Sequence, residues 1–156
     1  MSKSLKRVAR ALEDAGLEVE ILEMPGETRT AQQAAAAAGC ALDQIAKSII
    51  FRGEDSGEAY LFLTAGGNQV CPARASDCAG ERLGKADAAL IRAKTGFAIG
   101  GVAPIGLISD VRAFMDPKLA SFDVIWAAAG TPRHIFPIDP QILREVSTAQ
   151  PADFTS

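Results

Sequence analysis

Two short apolar runs, Ser48-Ile-Ile-Phe51 and Ala59-Tyr-Leu-Phe-Leu-Thr64, flank the polar, glycine-containing stretch Arg52-Gly-Glu-Asp-Ser-Gly-Glu58. No other feature restricts the possible folds as much. Apolar runs of this length separated by charge and glycine are what two buried strands joined across the surface require. The pair predicts a hairpin, and the rest of the chain has to cover it.

Helices can be placed around that hairpin from their ends. Leu5, Val8, Ala9 and Leu12 recur at helical spacing, and Gly16 stands where a left-handed cap belongs. Thr30 and Gln33 form a capping-box pattern before a run of alanines that Gly39 ends. Asp87 to Lys94 reads as a helix with Gly96 just past its end; Pro140 to Val146 reads as a last one, its proline placed where a missing N–H costs nothing. Val19 and Ile21 alternate with Glu18, Glu20 and Glu23 as in a half-exposed strand, and residues 97–100, 107–109 and 124–129 are short strand-like runs separated by turn residues. Helices and strands mix without a regular βαβ repeat, and no linker interrupts them. The expectation is an α+β (mixed α/β) fold: one domain over 1–156 with a mixed, mostly antiparallel sheet flanked by helices.

Composition narrows the function classes. With 48% hydrophobic and 22% charged residues, 156 residues suit one well-buried core. Lys3, Lys6, Arg7 and Arg10 interrupt the N-terminus, so it lacks the apolar stretch of a signal peptide, and no later run has the length of a membrane span. A cytoplasmic location with no membrane partner is expected. Cys40, Cys71 and Cys78 lack paired close spacing and His134 is the only histidine, so no metal site is expected and the thiols read as inert. A net charge of −3, with Glu13, Asp14, Glu18, Glu20, Glu23 and Glu27 in one stretch, argues against a broadly basic nucleic-acid surface but leaves room for a local basic site elsewhere. The serine-hydrolase elbow, the P-loop, the dinucleotide fingerprint and the HExxH helix are all absent.

What stands out instead is Gly96-Phe-Ala-Ile-Gly-Gly-Val-Ala-Pro-Ile-Gly106. Four glycines and a proline in eleven residues let a backbone come close to a ligand and offer it N–H groups, or else make a tight turn between strands. Lys47, directly before the first apolar run, can point at a phosphate or snorkel to solvent.

Taken in order, TRTAQQAA, QIAKSIIF, AYLFLTAG, TGFAIGGVAPIG and VIWAAAGTPR resemble the YbaK and prolyl-tRNA synthetase insertion-domain superfamily of trans-editing deacylases. The resemblance runs from about Leu5 to Val146 and is most specific in TGFAIGGVAPIG. It implies a mixed α/β fold and hydrolysis of the ester joining a noncognate amino acid to the terminal adenosine of tRNA, usually the proline acceptor. It implies no metal or organic cofactor. The implied partners are the tRNA acceptor end, most naturally tRNA-Pro, and transiently prolyl-tRNA synthetase.

By the same resemblance, Lys47 matches the family lysine that engages phosphate and ribose. Gly100, Gly101, Ala103 and Pro104 match the GxxxP loop, whose backbone shapes the amino-acid pocket and orients the carbonyl. Lys47, Gly100, Gly101 and Pro104 are the implied catalytic set, with Thr30, Ser48, Ala103, Ala128, Ala129, Gly130 and His134 around the substrate. Such a site suits ester hydrolysis, which needs donors fixed where the carbonyl oxygen becomes negative; the attacking water is activated in this family largely by the substrate or the tRNA hydroxyl. Arg74, Arg82, Lys85, Arg92 and Lys94 are candidates for the tRNA backbone. Ala128-Ala129-Gly130 stands where the cysteinyl branch has a serine, and Ile135 stands near that branch's acidic residue. The pattern therefore resembles the alanyl or small-residue branches more than the cysteinyl one. A noncatalytic module that holds an acceptor end or a synthetase is the reading from another class.

Overall fold

The structure, a computed structural model, describes residues 2–156; Met1 lies outside the described residues. The chain runs α1 (Lys3–Asp14), β1 (Leu22–Glu23), α2 (Ala31–Ala38), β2 (Ala46–Gly53), β3 (Ala59–Ala65), α3 (Pro72–Ala79), β4 (Leu83–Lys85), α4 (Ala88–Thr95), β5 (Arg112–Met115), β6 (Ile125–Ala128), β7 (His134–Ile138), α5 (Pro140–Ser147) and β8 (Gln150–Pro151). Two 3₁₀ turns, Leu42–Gln44 and Pro117–Ser121, complete it.

The predicted hairpin forms: β2 and β3 pair antiparallel, with Lys47 opposite Thr64 and Phe51 opposite Tyr60. They lie inside a five-stranded sheet of order β4-β2-β3-β5-β8, in which β5 and β8 run parallel to β3. A second, three-stranded antiparallel sheet has the order β1-β7-β6. Every residue of β3 is buried, because both faces of the larger sheet are covered. On one face Leu61, Leu63 and Ala65 meet Leu5, Val8 and Leu12 of α1 together with Ile125, Phe136 and Ile138 of the smaller sheet. On the other, Phe62 stacks on Phe114 at 5.1 Å and meets Phe154 edge-on at 4.9 Å, over Ala75 and Ala79 of α3. Strands buried on two sides carry continuous apolar runs in place of alternation, which is why β3 was conspicuous in the sequence.

The end signals held for α1, α2, α4 and α5. Thr30 and Gln33 make the reciprocal capping box, and Gly39 and Gly96 close α2 and α4 in the left-handed conformation. The strand-like reading of residues 97–100 and 107–109 did not hold; both are loop. Phe97 and Val102 are apolar because they plug the core, not because they pair. The alternation at residues 18–23 yields ladder pairing at Leu22 and Glu23 alone. Helix α3 and strands β4, β5 and β8 were not anticipated. The first is built mostly of small residues behind Pro72, and the strands are two to four residues long. No helix is long and apolar enough to cross a membrane among the described residues.

Candidate functional site

The two sheets are joined at a parallel bridge between Ile45 and Trp126 and then diverge. A cavity of about 650 Å³ opens in that fork, within the range of roughly 300–1,000 Å³ usual for small-molecule sites. Strand β2 forms one wall and β6, through Trp126, Ala127 and Ala128, the other. The first turn of α2, the Gly66–Gln69 turn after β3, Lys85 and the loop residues Ile99, Gly100 and Val102 close the remaining sides. Among the described residues the lining carries three cations, Arg29, Lys47 and Lys85, and no carboxylate or imidazole. In a chain of net charge −3 that is a concentrated positive site.

Lys47 sits one residue inside β2, and its Nζ donates to the Asn68 carbonyl at 2.6 Å. Asn68 is held in turn: its Nδ2 donates to Oδ2 of Asp116 at 2.9 Å. Asp116 is 3% exposed and also accepts from the backbone N–H groups of Ala65 and Lys118. Burial pushes the Lys47 ammonium below the ordinary lysine value, while the nearby Asp116 and Asp43 carboxylates pull it back up. The lysine is therefore a positioned, partly desolvated cation rather than a freely snorkelling one.

Ser48, the next residue, faces the other side of the sheet, and its Oγ is buried without a hydrogen-bond partner. Buried hydroxyls are normally paired, so a lone one beside a cavity is a group with unused capacity. On the facing loop, Gly100 adopts φ +87, and a Cβ there would meet the Arg29 side chain, with Nη1 at 2.9 Å. This close approach brings Arg29 against the loop at the cavity, where its Nε also pairs with Glu27 at 3.1 Å. Behind the loop, the Arg7 guanidinium lies 4.4 Å over the Phe97 ring and its Nε donates to the Gly106 carbonyl at 2.7 Å, so α1 holds the segment in place.

Residues 25–146 match the family model of the aminoacyl-tRNA editing domain. The chain belongs to that family. Its mixed α/β editing fold is shared with a crystal structure described as that of a candidate trans-editing enzyme for prolyl tRNA synthetase, at TM-score 0.92 and 41% identity, covering 100% of this chain and 99% of the other. The hypothetical protein APE2540 superposes at TM-score 0.88 with 26% identity, covering 96% of this chain and 99% of that one. The uncharacterised protein YwhH of Bacillus subtilis (strain 168) is 30% identical over 144 residues, 92% of this chain and 91% of its own.

Within this editing domain the residues singled out from sequence divide in two. Thr30, Lys47, Ser48, Gly100 and Ala128 line the cavity. Thr30 spends its hydroxyl on the N–H of Gln33 as a helix cap. Gly101, Ala103, Pro104, Ala129, Gly130 and His134 do not line it. A Cβ on Gly101 would lie 3.0 Å from the Thr131 backbone, Ala103 and Ala129 are fully buried, and Gly130 packs on Ser4 and Phe97. His134 begins β7 and holds Thr131 Oγ1 through Nδ1 at 2.6 Å. Of the basic residues considered for a tRNA backbone, Lys85 is at the cavity, whereas Arg74 pairs with Asp153, Arg82 with Glu54 and Lys94 with Glu58. Sequence reading missed Arg29, Asn68 and Asp116. The sole local hint was a basic residue directly before the Thr30 cap; the other two act through the tertiary fold. Burial raises the Cys40 and Cys78 thiols, which keeps them protonated and unreactive.

Proposed function

We propose that this editing domain is a free-standing deacylase that hydrolyses the ester of a small mischarged amino acid, alanine or 2-aminobutyrate, on tRNA-Pro. The observation that carries the reading is that the charged groups lining the cavity are cations alone, with small residues at Ala46, Gly100, Ala127 and Ala128. Arg29, Lys47 and Lys85 suit the terminal phosphates and ribose of an acceptor end, because the cavity wall itself presents cations and no carboxylate, Glu27, Asp43 and Asp116 lying outside the lining. Ala46, Ala127, Ala128 and Gly100 leave room for a short side chain beside them. Selection by an apolar wall is modest, about 1–3 kcal/mol per methylene, so alanine and 2-aminobutyrate are both accepted. Proline is spared because its ring meets the Gly100–Val102 loop.

With no carboxylate or imidazole at the cavity, the attacking water gives its proton to a group of the substrate: either the neutral α-amine, or the neighbouring ribose hydroxyl, which passes its own proton to the departing ribose oxygen. The protein's part is to hold the ester and stabilise the oxyanion. Transient association with prolyl-tRNA synthetase, which would deliver the mischarged product, fits this reading. The test is a deacylation panel of alanyl-, 2-aminobutyryl-, seryl-, cysteinyl- and prolyl-tRNA-Pro. Fastest turnover of the alanyl and 2-aminobutyryl esters is expected. Preference for cysteine, or rapid loss of correctly charged prolyl-tRNA, overturns the size-selection reading, and binding without turnover of any ester makes the protein a noncatalytic acceptor-end module.

A further inference from the structure

The hydrogen bonds of β2 leave one residue unspent. Gly53 N–H donates to Glu58 across the hairpin, and Glu54 N–H donates to Arg82 on the opposite side. Backbone groups alternate sides along a strand, so the odd-numbered residues Lys47, Ile49 and Phe51 bond to β3, and Ser48 turns its N–H and C=O away from it. The β3 side agrees: Leu63, opposite Ser48, gives its carbonyl to Asp116 N–H on the β5 side. On the outward side, β4 covers only Phe51–Gly53, and the bridge to β6 lies at Ile45. Ser48 is left between these two seams, facing the cavity. Among the described residues no backbone bond outside the ladders reaches Ser48, and the ladder on its outward side stops short of it, so its N–H and C=O stay open beside a buried Oγ that has no partner. Three unpaired hydrogen-bonding groups on one residue of a half-buried strand call for a ligand that completes them.

We propose that the substrate's aminoacyl group completes the strand edge as a single residue. Its α-amine donates an N–H to the Ser48 carbonyl, and its ester carbonyl accepts from the Ser48 N–H. This inference rests on the deacylase reading and adds to it how the amino acid is held. An α-aminoacyl ester has the donor and acceptor of a strand residue; a base edge such as adenine N6–H with N1 offers a pair too, but it carries no α-carbon whose hand the pairing would select, and comparing L- with D-alanyl esters separates the two. The two-bond pair fixes stereochemistry. Residues facing each other in such a pair project side chains to the same face. An L-amino acid therefore points its side chain to the face of Ser48 Oγ, where Ile50, Val102 and Ala127 line the cavity. A D-amino acid making the same two bonds points to the face of Lys47 and Ile49. The ester carbonyl, polarised by the Ser48 N–H, is then presented edge-on to water in the cavity.

The experiment compares L-alanyl-, D-alanyl- and propionyl-tRNA, the last lacking the amine, on the same tRNA. In parallel, the Ser48 amide is followed by NMR during titration with non-hydrolysable 3′-deoxy-3′-(L-alanylamido)adenosine. Cleavage of the L-alanyl ester at least ten times faster than of the other two, with a downfield move of the Ser48 amide and none at Ile49, is the expected result. Ser48→Pro removes the N–H without breaking a bond to β3, and it should lose roughly 10²-fold in kcat, as loss of one oxyanion donor does. Ser48→Ala, which keeps that N–H, should lose far less. Should Ser48→Pro fail to fold, the ester panel and the amide titration decide alone. Equal cleavage of the three esters, or an unmoved Ser48 amide in a preparation that deacylates, overturns the pairing and leaves the deacylase intact. An amide that moves without any turnover supports the pairing and overturns the deacylase; neither turnover nor movement overturns both.

Discussion

At the residue scale, Lys47 is held by a chain of contacts that begins at a buried acid. Asp116 fixes Asn68, and the Asn68 carbonyl fixes the ammonium. Lys47→Ala should abolish most deacylation with an unchanged melting curve, because the side chain contributes charge at the cavity rather than core packing; Lys47→Arg should rescue only part, a planar fork being a poor substitute for a point charge. Burial sets the lysine below its ordinary value, so its cation is lost earlier as pH rises. If that cation is what serves, kcat/KM falls on the alkaline limb below the ordinary lysine range, and Lys47→Arg flattens the limb. A profile that rises instead would assign the work to the neutral amine. Asp116→Ala leaves three donors without their acceptor and should lower stability by about 3 kcal/mol in urea unfolding at constant m-value.

At the scale of elements, Glu81 ties the hairpin connection to the end of α3. Its carboxylate accepts from the N–H groups of Asp55 and Ser56, from Ser56 Oγ at 2.7 Å and from the Tyr60 hydroxyl. The Ser56 and Tyr60 hydrogen bonds hold its pKa at about 2, below its ordinary 4.5. A carboxylate depressed in the fold contributes stability that is complete above its unfolded pKa and is lost as pH falls towards the folded one. Thermal stability should therefore weaken as pH falls from about 4.5 to about 2, and Glu81→Gln should remove that part of the acid limb. Thr30→Ala, which deletes the α2 cap, should cost about 1 kcal/mol. These elements also show what could be read in advance. The capping box was legible because its partners are three residues apart, and β3 because burial on both faces leaves a continuous apolar run. Strand β5 was not, since Arg112–Met115 is a strand by virtue of its parallel neighbours, which lie far off in sequence. Lys47 and the glycine stretch that holds Gly100 stood out in the residues themselves, and the family resemblance supplied their roles. The unspent edge at Ser48 could not be, because it depends on where β4 stops.

For the whole molecule, charge is distributed rather than abundant. Affinity for tRNA should fall with salt on a shallow slope, reflecting the few phosphates within reach of Arg29, Lys47 and Lys85. Reversing Lys85 to Glu should weaken binding and reduce that slope, whereas reversing Arg74, already engaged by Asp153 and the Thr155 carbonyl, should leave both nearly unchanged. Filter binding at several salt concentrations measures this, and a salt-insensitive affinity would point to a neutral ligand. The fork itself has one more implication. On the proposed reading, hydrogen-bonding groups and a cation sit on β2, in one sheet, while Ala127 and Ala128, beside the substrate's side chain, sit on β6, in the other, and the sheets are fastened at Ile45 and Trp126. Part of the gauge is then carried by a piece of the chain that holds none of the proposed chemistry. Drift at Ala127 or Ala128 can retune which amino acid fits without disturbing the groups that act on the ester, so relatives with this architecture can diverge in diet while keeping the same hands.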